Sequence, residues 1–353
     1  MEIIQGQRKE YLDIAKGIGI LLVVLGHCPL VYHPLKQWIY SFHMPLFFFI
    51  GGMVWNKASH EKRGFFTWKF LMDKAKRLLI PCFLWALFYS LAVAVMNGRF
   101  SPKVIAYLLY GSQAGFQRAG SLTSLWFLPC MFLSVCAFEI VQQLLSNAKR
   151  RELYLLCVSV FLAAVGLFLP RFSRGYPWSI DIAFLAAAFM IWGCLAAKGF
   201  EAVAHKKVFS LLLFLLVLAV SLTYVFNLPY TSTNNVDLAG RHFGNRALYL
   251  LDAAAGSACI LLLGTILRKS KAAAKTLGYL GRITIPILIV HKPLVRALSR
   301  IGGKLGVPDV ITVILSVAAA TGISILVYLI VKRILPIVFG ESRQKVVPQA
   351  AGK

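Results

Sequence analysis

The sequence predicts an all-α, polytopic integral membrane protein of about ten transmembrane helices in one bundle, and three observations predict it. Hydrophobic residues make up 59% of the 353 residues and charged residues only 14%, against roughly a quarter charged in soluble domains. The mean hydropathy is +0.73, and apolar runs of about 20 residues, the length that spans a bilayer, recur along the chain. The 38 Lys and Arg against 13 Asp and Glu give a net charge of +25. These basic residues are strung between the apolar runs, which points to a lipid bilayer and away from nucleic acid.

In chain order, apolar segments fall at Leu12–Cys28, Trp38–Trp55, Leu78–Met96, Ser124–Leu145, Leu153–Leu169, Ile180–Ala197, Val208–Phe226, Ala247–Leu267, Leu277–Leu294 and Val310–Leu335. Asp13 and Lys16 interrupt the first run and no small-residue cleavage site follows it, so it is expected to be retained as a span. Pro45 and Pro286 fall inside the second and ninth segments, where each is expected to kink a helix. No long polar stretch divides the helices. One membrane domain over residues 1–340 and a basic tail over 341–353 is the simplest organisation. The 7 cysteines lie singly in apolar stretches and read as small hydrophobes, not as a disulfide framework or metal site.

Basic residues set orientation, because Lys and Arg are retained on the cytoplasmic side. With alternate loops assigned to alternate sides, 25 of the 38 fall on the side of the N-terminus and 12 on the other, Arg282 belonging to neither. Both termini are therefore expected in the cytoplasm. One connection resists this pattern, since Lys292, Arg296, Arg300 and Lys304 fall on the outer side. The longest outer loop, Asn227 to Arg246, carries Asn234, Asn235, Asp237, Arg241, His242 and Asn245. That density of hydrogen-bonding groups suits a polar ligand such as a sugar, or equally a solvated connector.

The first segment holds the densest intramembrane polarity. At about 100° per residue, the 11 steps from Lys16 to His27 turn about 1100°, within about 20° of the starting direction, and Asp13 joins the same lane. Ionisable groups at that depth face a bundle interior or a water-filled cavity. The competing reading is a helix-end ion pair of Asp13 with Lys16 and a core histidine satisfied by its surroundings. In the second segment, SFHMPLFFFIGGM places His43 near the outer end at a depth similar to His27, and Gly51 and Gly52 allow close helix approach. Two imidazoles at one level suit proton chemistry, because histidine titrates closest to neutrality. His291 in the ninth segment is a third candidate. Between the second and third segments, KRGFFTWKFLMDKAKRLLIP reads as a helix on the cytoplasmic membrane surface, with Lys74 and Arg77 on one face, suited to a phosphorylated ligand or to simple anchoring. Asp252 and the interfacial Glu139 and Asp181 are the remaining acids of the spans.

Taken in order, EYLDIAKGIGILLVVLGH, SFHMPLFFFIGGM, KAKRLLIP and SLWFLPCMF (Ser124 to Phe132) resemble acyltransferase family three, the integral-membrane O-acyltransferases. GRITIPILIVHKPL resembles that family's late Ser/Thr and His segment. The resemblance covers most of the chain and is strongest in its first 130 residues. The family's basic residue, ten intervening residues and histidine fall on Lys16 and His27. Its paired basic motif before the third span falls on Lys74 and Arg77, with lysine where arginine is usual. The resemblance implies ten transmembrane helices and transfer of an acyl group, commonly acetyl from cytoplasmic acetyl-CoA, to hydroxyls of extracytoplasmic carbohydrates or cell-envelope glycans in the inner membrane. The absence of an appended esterase-like domain and the Gly244-Asn245 pair look most like the fucose-O-acetylase-like branch.

On this reading His27 is the base or acyl carrier, with His43, Lys16 and Asp13 supporting it, and Lys74 and Arg77 hold the CoA phosphates. Trp126, Asn234, Asp237, Asn245 and His291 are expected on the acceptor side. No metal is required, and a homo-oligomer is compatible with the pattern. The rival from another class is a proton-coupled transporter or flippase, in which the polar lane moves a proton or solute without covalent chemistry.

Overall fold

A computed structural model describes residues 10–64, 66–98, 101–204, 206–227 and 236–341. Asn234 and nearly all of the expected tail lie outside these residues. The described chain is helical, its strand-like pairing limited to an isolated bridge between Asp237 and His242. The first half comprises α1 (Glu10–Gly26), α2 (His33–Met53), the short α3 (Lys57–Arg63), α4 (Trp68–Asn97), two short helices α5 (Lys103–Tyr110) and α6 (Gln113–Arg118), and α7 (Phe127–Leu144). The second half comprises α8 (Arg151–Phe168), α9 (Ile180–Ala204), α10 (Lys207–Ser221), α11 (Arg246–Leu267), α12 (Lys271–Arg282), α13 (Thr284–Lys304) and α14 (Asp309–Ile334).

Among the described helices, seven are long and apolar enough to cross a membrane, and eight if α12 and α13, bent by 82° at their junction, count as one span. The protein is therefore an all-α multi-pass membrane protein. Each of the ten apolar segments overlaps a helix. α1 and α2 are not among the seven; α1, with 17 residues, is just too short, and its surroundings also differ from those of the counted spans. On α10, only 17% of the apolar window is buried, so nearly all of its surface is left for lipid and has to be hydrophobic. In contrast α1 buries 11 of its 17 residues, Asp13 included. A helix walled by protein can carry polar groups that a lipid-facing one cannot.

Three expectations are corrected. The second helix starts at His33, five residues before the expected boundary, so His43 lies at its middle and not near its outer end. Lys74 and Arg77 do not belong to a separate surface helix. They stand in the first turns of the 30-residue α4, which starts at Trp68 after the Thr67 hydroxyl accepts from the Phe70 amide at 3.2 Å; Phe65 lies outside the described residues. The ninth segment is not one kinked helix, because the chain breaks at Ile283 between α12 and α13. Pro286 falls in the first turn of α13, where no intrahelical donor is required.

Side-chain contacts sort the helix ends into two groups. At one end Trp55 donates to Glu139 at 3.1 Å and Lys57 donates to the Ser146 carbonyl at 2.8 Å, joining the ends of α2 and α7. At the other, Cys28 meets Ser299 at 3.2 Å, Trp38 donates to Ser221 at 3.2 Å and Thr223 donates to Asp252 at 2.8 Å. Glycines set the spacing of the central helices. A Cβ on Gly281 would lie 1.8 Å from the Asp13 carbonyl oxygen, and one on Gly17 would lie 2.1 Å from that of Leu277, so α1 and α12 touch backbone to backbone. The expected close approach at Gly52 is present as well, its Cβ position 1.8 Å from the Met190 carbonyl oxygen on α9.

Gly281→Ala should therefore force α12 off α1 and cost about 1–3 kcal/mol, as overpacking typically does. Gly322→Ala on α14, where a Cβ meets nothing within 4 Å, should not lower stability, since alanine favours a helix over glycine. Melting temperatures of the two variants in one detergent test this. Equal values would show that the α1–α12 contact yields without cost.

Candidate active site

Near the Cys28 end, the last turn of α1, the middle of α2 and the middle of α13 enclose a cavity of about 140 Å³. His27 and His43 line it together with Lys36, Tyr40, Gln113, Thr123, Trp126, Asp237, Lys292 and Arg296. The three histidines share one local device. Nδ1 of His27 donates to the Val23 carbonyl, that of His43 to Ile39 and that of His291 to Ile287, each at 2.8 Å and each four residues back along the helix. A carbonyl can only accept, so Nδ1 carries the proton and Nε2 is the ring atom not committed to the helix. The ring of His27 stands edge-on to that of His291 with centroids 5.0 Å apart, and Tyr40 lies 4.9 Å from His43. His291 is buried behind His27, its Nε2 without a hydrogen-bond partner among the described residues.

The other wall comes from the connection between α10 and α11. Its residue Arg241, with φ of 54°, donates to the Gly166, Leu169 and Pro170 carbonyls at 2.8–2.9 Å and pairs with Asp181 at 3.4 Å. A cation thereby satisfies carbonyls left open at the end of α8. This anchor presents the turn in which the Asp237 carboxylate accepts from the amides of Ala239 (3.0 Å) and Gly240 (3.1 Å). Burial in the cavity wall lifts the Asp237 carboxyl above its ordinary range, against the pull of those amides. Trp126 is 5% exposed and closes the cavity at the start of α7. A second cavity of about 230 Å³, over Asp181 and Arg241, shares Gln113 with the first.

The expected lane through α1 divides into two separate parts. Asp13 and Lys16 form an ion pair of 2.7 Å, and neither lines the cavity that holds His27. Lys74 and Arg77 lie away from that cavity as well, Lys74 above the Phe70 ring at 5.4 Å and Arg77 exposed. Asn245, expected on the acceptor side, stands at the start of α11. Its side chain accepts from the amides of Ala247 (3.0 Å) and Leu248 (3.1 Å) and caps α11. Asp252 is buried and accepts from Thr223. Among the described residues no group of His, Cys, Asp and Glu is arranged to hold a metal ion.

Sequence reading passed over Lys36, Tyr40, Gln113 and Thr123. A signal existed for the first two, since Lys36, Tyr40 and His43 follow at i, i+4 and i+7 and so share a face of α2. Lys292 and Arg296 were visible only as basic residues on the wrong side of the charge pattern.

An apolar helix bundle thus encloses a polar cavity lined by two histidines, each with one ring nitrogen not committed to the helix. The model of an acyltransferase domain matches residues 9–331, and the chain belongs to that family, acyltransferase family three. Membership of that family favours acyl transfer over the transporter reading. The chain is 29% identical over 163 residues to the nodulation protein NolL of Mesorhizobium japonicum, a match covering 43% of this chain and 40% of that protein. The shared region is thus less than half of the relative's length. No solved structure matches.

If Asn245 serves α11 and not a ligand, Asn245→Ala should lower stability by about 1 kcal/mol, the usual loss for an N-cap, with no change in acceptor KM. A KM increase without a change in melting temperature would return Asn245 to the binding site.

Proposed function

We propose that the protein is an O-acetyltransferase of the inner (cytoplasmic) membrane, with both termini in the cytoplasm, that moves acetyl from cytoplasmic acetyl-CoA to a hydroxyl of an extracytoplasmic carbohydrate or cell-envelope glycan. The observation that carries this reading is the His27 ring, bordering the cavity with Nδ1–H held by Val23. In the neutral ring the Nε2 lone pair is then available to a hydroxyl. Thioesters are already activated, whereas a sugar hydroxyl is a poor nucleophile until its proton is removed during attack. The hydroxyl oxygen bonds to the thioester carbon, the carbon–sulfur bond breaks, and the hydroxyl proton passes to Nε2 while CoA departs as thiolate.

The other assignments follow the distribution of charge. Lys74 and Arg77 bind CoA phosphates at the Trp55 end, the end that the basic-residue asymmetry assigns to the cytoplasm. The Asp13–Lys16 pair organises the path between that end and His27. His43 borders the same cavity as His27 and supports proton transfer, and His291 backs the His27 ring. Trp126 and Asp237 face the acceptor. Asn234, outside the described residues, keeps the acceptor-side role that the sequence suggests.

His27→Ala should lower turnover by about a hundred- to ten-thousandfold, with melting temperature and acetyl-CoA binding retained. Turnover above about a tenth of the starting value in a stable variant would refute the assignment. Labelled acetyl trapped on His27 without acceptor would reveal a two-step route through an acyl-imidazole.

Lys74→Gln with Arg77→Gln should raise KM for acetyl-CoA by of order a hundredfold, two charge-assisted contacts at about 1.5 kcal/mol each, and alter acceptor KM far less. Lower expression with unaltered acetyl-CoA dependence would make these residues anchors only.

A further inference from the structure

The cavity at His27 carries more positive charge than acyl transfer to a neutral sugar requires. Lys36 from α2 and Lys292 and Arg296 from α13 all line it, and Asp237 is its lone carboxylate. Both Asp237 oxygens are engaged by the amides of their own turn. Among the described residues none of the three cations lies within ion-pair distance of a carboxylate. Lys292 is the most demanding, because the residue is 8% exposed and its ammonium donates to the neutral hydroxyl of Thr123. An ammonium has three donors, and taking it out of water without a counter-charge is strongly unfavourable. Lys292 and Arg296 stand one turn apart on the same face of α13. They also run against the charge asymmetry of the chain, since basic residues are disfavoured on the side opposite the cytoplasm. A ligand anion that neutralises them accounts for the charge excess, the buried ammonium and the misplaced pair together.

We propose that the acceptor is anionic: a saccharide or related polyol bearing a phosphate or carboxylate, which Lys36, Lys292 and Arg296 grip while its hydroxyl lies at His27. Lys292 and Arg296 then select the acceptor, with the fork of Arg296 at the exposed rim and the Lys292 ammonium beneath it. This inference rests on the acyl-transfer reading of the cavity. The same cations could instead take the phosphates of CoA, a source that the experiment separates.

The test uses the full chain in nanodiscs with acetyl-CoA and three acceptor probes, namely galactose, galacturonate and galactose 1-phosphate, followed by mass spectrometry of acetylated product and by the melting temperature with each probe. At low salt, one or both charged probes should be acetylated at least about tenfold more efficiently than galactose, and should raise the melting temperature where galactose does not. Two charge-assisted contacts are ample for a tenfold difference. The preference should fall to within about twofold in Lys292→Gln with Arg296→Gln. Arg296→Gln alone, at an exposed position, should reduce it if the double variant does not fold. Equal or better use of galactose by the wild type overturns the proposal. So does a variant that raises KM for acetyl-CoA and leaves the acceptor ratio as it was, which would assign the cations to CoA. If none of the probes is acetylated, the melting temperatures decide, and equal shifts for charged and neutral probes overturn it. His27→Ala separates the two readings. Wild-type turnover in that variant with charge-selective binding intact would sink the catalytic assignment and leave the anion site standing.

Discussion

The constraint on which the architecture depends is that one helix carries a carboxylate, an ammonium and an imidazole through an apolar slab. Such a helix has to be enclosed by protein. The enclosure is achieved at backbone distance, with Gly17 and Gly281 letting α12 lie directly on α1. α12 then bends by 82° into α13, which brings His291 behind His27. The lipid-facing helices α4, α10 and α14 then form an apolar surround whose sequences need only be hydrophobic.

Much of this was legible beforehand because lipid imposes a simple rule on composition. Each of the ten apolar runs overlaps a helix, and the pairing of Asp13 with Lys16 is a matter of helical period. The break at Ile283 was not legible. Nothing in GRITIPILIV signals it to a hydropathy window, since both sides of the bend are apolar where they are buried. The extension of α2 to His33 was hidden for the opposite reason. Its first turns carry Lys36 and Gln37, polar residues that a search for apolar runs excludes but that a helix inside a bundle accommodates.

The site divides in the same way. His27, His43, Trp126 and Asp237 were recognisable by type or by family pattern, and the cavity brings those four together. The capping by Asn245 was hidden because asparagine before a helix has two uses, recognition and capping, and sequence does not distinguish them. Lys36, Lys292 and Arg296 come from two helices distant in the chain, so their convergence is a property of packing that no local spacing encodes.

The fixed Nδ1–H of His27 has a further consequence for the accounting of protons. A histidine that relays protons takes one at one nitrogen and releases another from the second. Here the second nitrogen faces the Val23 carbonyl, which passes nothing on, so the ring has a single working terminal. In acetyl transfer from a donor on one side to an acceptor on the other, the proton lost by the hydroxyl balances the one gained by the CoA thiolate. The proton taken up by Nε2 leaves by that same nitrogen, to the CoA thiolate or to water. If CoA enters from the Trp55 end, as proposed, the thioester carbon must still meet the hydroxyl beside Nε2, so the thioester arm of CoA must thread the bundle to the chamber at the far end. On that proposal, what enters the bundle is the reactive tip of the donor, while its charged nucleotide stays behind.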